Sequence, residues 1–262
     1  MRISKVLKFL LFILFSQIGW ANPQPPLVVA TALWSPHFVN ELEDGIYQKL
    51  LREVYPKRQI NYVYTSYVRS KHLVATGRAD LWLGSYLNEE DWALYPRFAH
   101  DADLLAAIYL KDTSWQGADS LFRQPVSWIS GYDYDKYLAA SQMQFYEVPD
   151  LNVAMTLLQG ERIQYVLDDV WEFNTYLSEN DALRDKIHMT PFAIIKIYPA
   201  FNNDKRGQLL AAQWDLAMET LVSGRLKSLF LEKGEDYLLD ACDTQAEHLA
   251  QYDCLELPLS PQ

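Results

Sequence analysis

YVRSKHLVATGRADLWLGSYLNEED, residues 67–91, is the stretch from which the fold is read. Residues 68–76 are good helix formers with apolar Leu73 and Val74 on one side, and Gly77 stands where a C-terminal cap belongs. Arg78, Ala79 and Asp80 then turn the chain into Leu81-Trp82-Leu83, a short apolar run bounded by Gly84, which suits a strand buried in a sheet. A helix that feeds a strand directly marks an α/β architecture. Ligands in open α/β sheets collect beyond the carboxyl ends of strands, so Gly84, Ser85 and Tyr86 are the first candidates for a binding surface.

The flanking sequence repeats this logic. Residues 27–33 (LVVATAL) read as a buried strand, broken by Trp34-Ser35-Pro36-His37-Phe38 into a loop. Asp44 is placed to cap a helix in which Ile46, Leu50, Leu51 and Val54 recur at helical spacing before Pro56. Strands are predicted at 59–65 and 104–110, and the polar run 111–125 suits a boundary. A second series begins at Val126, with a strand at 126–129, a turn at Ser130-Gly131 and a helix from Asp133 to about Ala140. It continues with a strand at 145–148, a helix at 152–159 closed by Gly160, and a strand at 163–167 that delivers Asp168 and Asp169. Further strands are predicted at 187–189 and 193–198. Asp204 opens a long helix whose Leu210, Trp214, Ala217 and Leu221 share one face. A shorter helix runs from Arg225 to Phe230.

The amino terminus decides the compartment. Arg2, Lys5 and Lys8 precede an apolar run at 9–15, and Gly19-Trp20-Ala21 has the small-residue pattern of a cleavage site. A secretory signal peptide over residues 1–21 and a periplasmic mature chain are expected. The other reading, an uncleaved anchor, needs an apolar core of roughly 20 residues, and this one is shorter. The chain carries 23 Lys and Arg against 34 Asp and Glu, and removing the leader takes away three basic residues and no acidic one. So acidic a surface repels nucleic acid and anionic membrane. Cys242 and Cys254 are the only cysteines. In an oxidising compartment they most simply form one disulfide, with two free thiols or a redox pair as the other readings.

Catalysis finds little support. The sequence holds no G-x-S-x-G, H-E-x-x-H or P-loop pattern, and its five histidines lack metal-ligand spacing. Glu89-Glu90-Asp91 offers paired carboxyls to a secreted hydrolase, but a charge run after a strand is more often a solvated loop. The reading is of a non-enzyme with neither cofactor nor metal.

In order along the chain, the loop 34–38, Gly45-Ile46-Tyr47, VATGRADLWLGSYLNEED, GERIQYVLDD and NNDKRGQLLAAQWDLAMETLVSGRLKSLF resemble the type II periplasmic solute-binding proteins, specifically the family 3 group of ABC uptake systems. The resemblance spans roughly residues 28–234. It implies two α/β lobes, each a mixed sheet flanked by helices, closing over a small polar solute by hinge motion. Lobe 1 would hold residues 22–110 and 197–262, lobe 2 residues 111–196, with crossings near 108–112 and 194–199. The implied partner of this monomer is an inner-membrane ABC permease, or alternatively a membrane receptor for which it acts as a ligand sensor.

The resemblance also assigns candidates. Asp169 matches an acidic position that meets a ligand amino group, while its neighbour Asp168 would cap the next helix; the opposite assignment stays open. Ser85 and Tyr86 match first-lobe contact positions. Where amino-acid-binding members carry Thr-x-x-Arg, this chain has Asn88 and Asp91, and an aspartate cannot make the bidentate bond by which arginine clamps a carboxylate. Arg69 is then the remaining candidate cation, or else a surface arginine. Trp34 and Trp128 at strand ends are either stacking surfaces or core, and Gly131 and Tyr132 at a helix start could offer N–H groups to an anion.

Overall fold

The computed structural model describes residues 24–34, 36–138, 143–244 and 253–255. The expected signal peptide, the side chain of Cys254 and the tail beyond Pro258 lie outside the described residues. The first half contains β1 (Leu27–Thr31), α1 (Ile46–Val54), β2 (Ile60–Tyr64), α2 (Tyr67–Ala75), β3 (Leu81–Tyr86), β4 (Ala93–Leu94) and β5 (Asp101–Leu110). Next come β6 (Pro125–Ile129), β7 (Gln144–Val148), α3 (Leu151–Gln159), β8 (Tyr165–Asp169) and α4 (Val170–Glu179). The chain returns through β9 (Ile187–Asn202) to α5 (Lys205–Leu221), α6 (Arg225–Leu231), α7 (Leu239–Thr244) and β10 (Asp253–Leu255).

One mixed sheet carries the strands in the order β2-β1-β3-β9-β5-β8-β6-β7, with β4 and β10 also paired to β9. Parallel trios at the two ends, β2-β1-β3 and β8-β6-β7, are joined by the antiparallel pair β5 and β9. The period-two alternation of strands explains the layers. Leu81 and Leu83 enter the same core as α1, α5 and α6, while Trp82 between them packs with Leu73 and Val74 of α2 on the other face. In the second half Ala106, Ile108 and Val166 meet the apolar faces of α3 and α4. At the first end the sheet is covered on both faces, whereas at the second the outer strand β7 stays exposed over residues 144–147.

Several local expectations are corrected. β3 does not stop at Gly84 but runs through it, because a register shift between Trp82 and Ser85 accommodates the glycine at φ 79°. The two strands predicted at 187–198 are one long strand whose register against β5 shifts at Leu105/Ala106. β5 pairs with β8 from Leu105 to Ile108 and with β9 along its whole length. Gly45, not Asp44, caps α1, with the Gln48 side chain accepting from its N–H. Asp133 opens only a single 3₁₀ turn, Tyr134–Lys136, where a helix to Ala140 was predicted.

Candidate functional site

The carboxyl tips of the parallel strands converge on one cavity of about 240 Å³. From the first half come Trp34 beyond β1, Tyr47 of α1, Tyr67 of α2, and Gly84 and Tyr86 of β3. From the second come Tyr132 and Tyr134 beyond β6, Asp168 and Asp169 closing β8, and Trp171 and Glu172 in the first turn of α4. Asp101 and Asp103 enter from the start of β5, and Glu235 and Asp236 from the loop after α6. Gly84 is required here. The tip of the Trp34 indole lies 2.6 Å from where a Cβ on residue 84 would stand, so only glycine lets this ring lie against the strand.

The wall is aromatic and acidic. Tyr67 meets Tyr132 edge-on at 5.7 Å and Phe38 meets Trp171 edge-on at 5.2 Å, so rings from the two halves touch on both flanks. Tyr47 Oη donates to Asp101 at 2.7 Å, and Tyr86 Oη donates to Asp103 at 2.7 Å. His37 pairs with Glu235. No lysine, arginine or histidine lines the cavity among the described residues.

Withdrawal from water without a cation raises the acids. Burial pushes Asp101 up to about 8, Glu172 to about 7, and Asp169 to about 6 against the pull of its backbone donors. Asp103 and Asp168 are also raised well above the ordinary carboxyl range, by burial first and then by the charge of Asp169 on Asp103 and of Glu172 on Asp168.

Asp168 and Asp169 divide their roles in the order opposite to the one favoured from the sequence. Asp169 is the N-cap of α4, accepting from Trp171 N at 2.7 Å and Glu172 N at 3.3 Å, and it also accepts from Leu104 N at 3.1 Å. Asp168 accepts at Oδ1 from Asp169 N at 2.8 Å, and its Oδ2 is buried with no partner. Both line the cavity.

Of the other candidates, the structure brings Trp34, Tyr86 and Tyr132 to the cavity and leaves out Arg69, Ser85 and Trp128. Arg69 is exposed. Trp128 is fully buried, stacked on Phe145 at 4.5 Å, because its place in β6 turns it into the core. Ser85 points away from the cavity lining and donates to Glu89 at 2.6 Å. The anion site imagined at Gly131 and Tyr132 does not form. Gly131 N is donated to Glu147 and Tyr132 N to Ile129 O, in a turn too short to align further N–H groups. Asp91 is exposed and outside the lining.

Beside the cavity lies a buried knot of charge. Lys71 Nζ contacts Glu89 at 3.0 Å, Glu90 at 2.8 Å, and, across from α2, Asp133 at 3.2 Å and Gly131 O at 3.2 Å. Lys136 reaches Glu89 O, and Tyr137 Oη donates to Leu87 O at 2.9 Å. The Glu89-Glu90 pair once weighed for hydrolysis is thus engaged in joining the segment after β3 to the turn after β6.

The sequence reading missed Asp101, Asp103, Tyr134, Trp171 and Glu172. A signal existed for some of them. Asp101 and Asp103 stand two apart, on one face of a strand, and Glu172 stands four after Asp168, within reach across the first helical turn.

This arrangement is the fold of the two-lobed type II periplasmic-binding proteins. No family model matches the sequence, and no curated protein matches it either. Among solved structures, the GluR0 ligand-binding core from Nostoc punctiforme in complex with L-glutamate is similar at a TM-score of 0.62 and 17% identity, over 80% of this chain and 100% of that one. A mutant of ArgBP from T. maritima is similar at 0.61 and 15%, over 79% and 93%. A putative L-cystine ABC transporter from Listeria monocytogenes is similar at 0.61 and 17%, over 81% and 98%. At such identities the likeness is one of fold.

Proposed function

We propose that this chain is a periplasmic solute-binding protein that captures a small polar solute between two lobes by hinge closure and presents it to an inner-membrane ABC permease. One observation carries the reading: a cavity walled by strand-tip loops of both halves, among whose lining residues Asp168 keeps a buried oxygen without a partner. The fold shared with a ligand-binding core and with ABC-system proteins supports it. In this reading the lobes are residues 22–110 with 197–262, and 111–196. Closure would stabilise one conformation because the solute touches both walls only there.

The secreted location rests on the leader pattern of residues 1–21, and a Cys242–Cys254 bridge accords with the absence of free thiols among the described residues. The protein acts as a monomer without cofactor and without turnover. The test is thermal unfolding of the purified protein against amino acids, amines, sugars and organic acids, read together with tryptophan emission, since Trp34 and Trp171 line the cavity. A solute at a hundred times its Kd adds about 2.7 kcal/mol, so one chemical class should raise the unfolding temperature by several degrees. A panel in which no class does so at millimolar concentration overturns the reading.

A further inference from the structure

We infer that the solute is an aliphatic diamine or longer polyamine carrying no carboxylate, held by carboxyl groups at both sides of the cavity. The inference deepens the solute-binding reading and rests on it.

The lining excludes the alternatives by charge. A carboxylate-bearing solute would enter a wall that, among the described residues, holds several acids and no cation. A carboxylate taken out of water beside acids that burial already holds protonated would find no counter-charge to offset its own desolvation. Lys71 and Lys136, which lie beside the cavity, are already engaged by Glu89 and Asp133. Arg69, the one arginine considered for a clamp, is outside.

The unpartnered groups are acceptors. Asp168, 1% exposed, lines the cavity with Oδ2 unpaired. The Glu172 carboxyl, one turn further on, has no hydrogen-bond or ion-pair partner among the described residues, only its backbone N–H being bonded to Asp169, and it lines the same cavity. A buried acceptor left unmade costs free energy that a donor recovers, and an ammonium brings three N–H donors and the opposite charge. The shape of the demand is bipolar. Acids of both halves line the cavity, Asp168 and Glu172 from β8 and α4, and Asp101 and Glu235, already bonded to Tyr47 and His37, from β5 and the loop after α6, so a chain with an ammonium at each end meets carboxyl oxygens from both.

Between them the rings of Trp34, Tyr86, Tyr132 and Tyr134 give an apolar wall for methylene groups and faces for cation–π contact. A volume of about 240 Å³ is below the ~300–1,000 Å³ common for drug-sized ligands, which suits a slender chain. A metal ion fits poorly, because among the described residues no three acids, histidines or cysteines are grouped to hold one. The raised acids agree with the same picture: burial without a counter-charge makes them basic, and a dication supplies what is missing.

Isothermal titration of the purified protein with 1,4-diaminobutane and spermidine, against L-glutamate, L-arginine, choline and calcium chloride, tests this. One of the two amines should bind at least 100-fold more tightly than each of the other four. Asp168→Asn and Glu172→Gln should each weaken it by about 10- to 100-fold, with the circular dichroism and cooperative unfolding of the parent retained. Tighter binding of L-glutamate, L-arginine, choline or calcium, or amine affinity unchanged in both variants, overturns the inference while leaving solute capture standing. Absence of binding by all six overturns the inference, and solute capture falls with it only if the wider thermal-unfolding panel is negative as well.

Discussion

Lys71→Met puts the buried charge knot to the test. The Lys71 side chain is 9% exposed and Glu89, its partner at 3.0 Å, is fully buried. Burial alone would lower the lysine pKa, but Glu89, Glu90 and Asp133 outweigh it and hold the ammonium charged. Methionine keeps the length of the stem and removes the cation, which strands the Glu89 carboxylate. Breaking one side of a buried pair costs about 3–5 kcal/mol. Glu89 retains donors from Tyr67 Oη and Ser85 Oγ, both at 2.6 Å, so the lower end, about 3 kcal/mol, applies. For a chain of this size that is roughly 6–12 °C in unfolding temperature, at about 2–4 °C per kcal/mol.

The same lysine ties α2 to Gly131 O and Asp133. Losing those two contacts should therefore weaken solute binding about tenfold, as one hydrogen bond's worth of closure free energy disappears. Differential scanning fluorimetry and titration with the identified solute measure the two effects. Adding Glu89→Gln to Lys71→Met should recover more than half of the lost stability, because the stranded charge is gone. A single variant within about 2 °C of the parent, or a double variant no more stable than the single, would refute this account of the knot.

Three further outcomes are expected. Asp101 and Glu172, with pKa values raised by burial to about 8 and 7, keep protons that the unfolded chain releases near pH 4. Their contribution is present below that unfolded value and is lost as pH rises through the folded ones, so the ligand-free unfolding temperature should fall from pH 6.5 to 8.5. A flat or rising profile refutes it. His100, sealed between Tyr47 at 4.6 Å and Trp214 at 5.9 Å and pushed down by burial to about 3, acts only at lower pH, where its contribution is lost as pH falls. Gly84→Ala forces a Cβ against the Trp34 ring at a positive φ, and should cost about 1–3 kcal/mol and shift the Trp34 emission. Unchanged stability and emission would show that the ring does not lie on the strand. Asp169→Ala uncaps α4 and frees Leu104 N, costing about 1–2 kcal/mol, whereas Arg69→Ala should leave stability and binding as they are. Equal effects of the two would contradict their placement.

The sequence by itself determined most of the order of helices and strands, because helical and period-two spacing are local properties. Val68 to Gly77, the strand at Leu81 and the Asp204-capped α5 needed no distant partner to be recognised. It also marked strand tips as the place to look, and Trp34, Tyr86, Tyr132 and Asp169 do line the cavity. What only the tertiary structure decided is direction and company. Trp34 and Trp128 end similar strands, yet one lies on Gly84 at the cavity and the other under Phe145 in the core. The adjacent pair Asp168 and Asp169 share a strand end, but backbone donors from α4 and β5 reach only the second and leave an oxygen of the first unpaired. Charge balance was likewise invisible locally. Asp101, Glu172 and Glu235 lie far apart in sequence and come to line one acidic cavity only when β5, α4 and the loop after α6 meet, since electrostatic fields follow distance in space and not position along the chain.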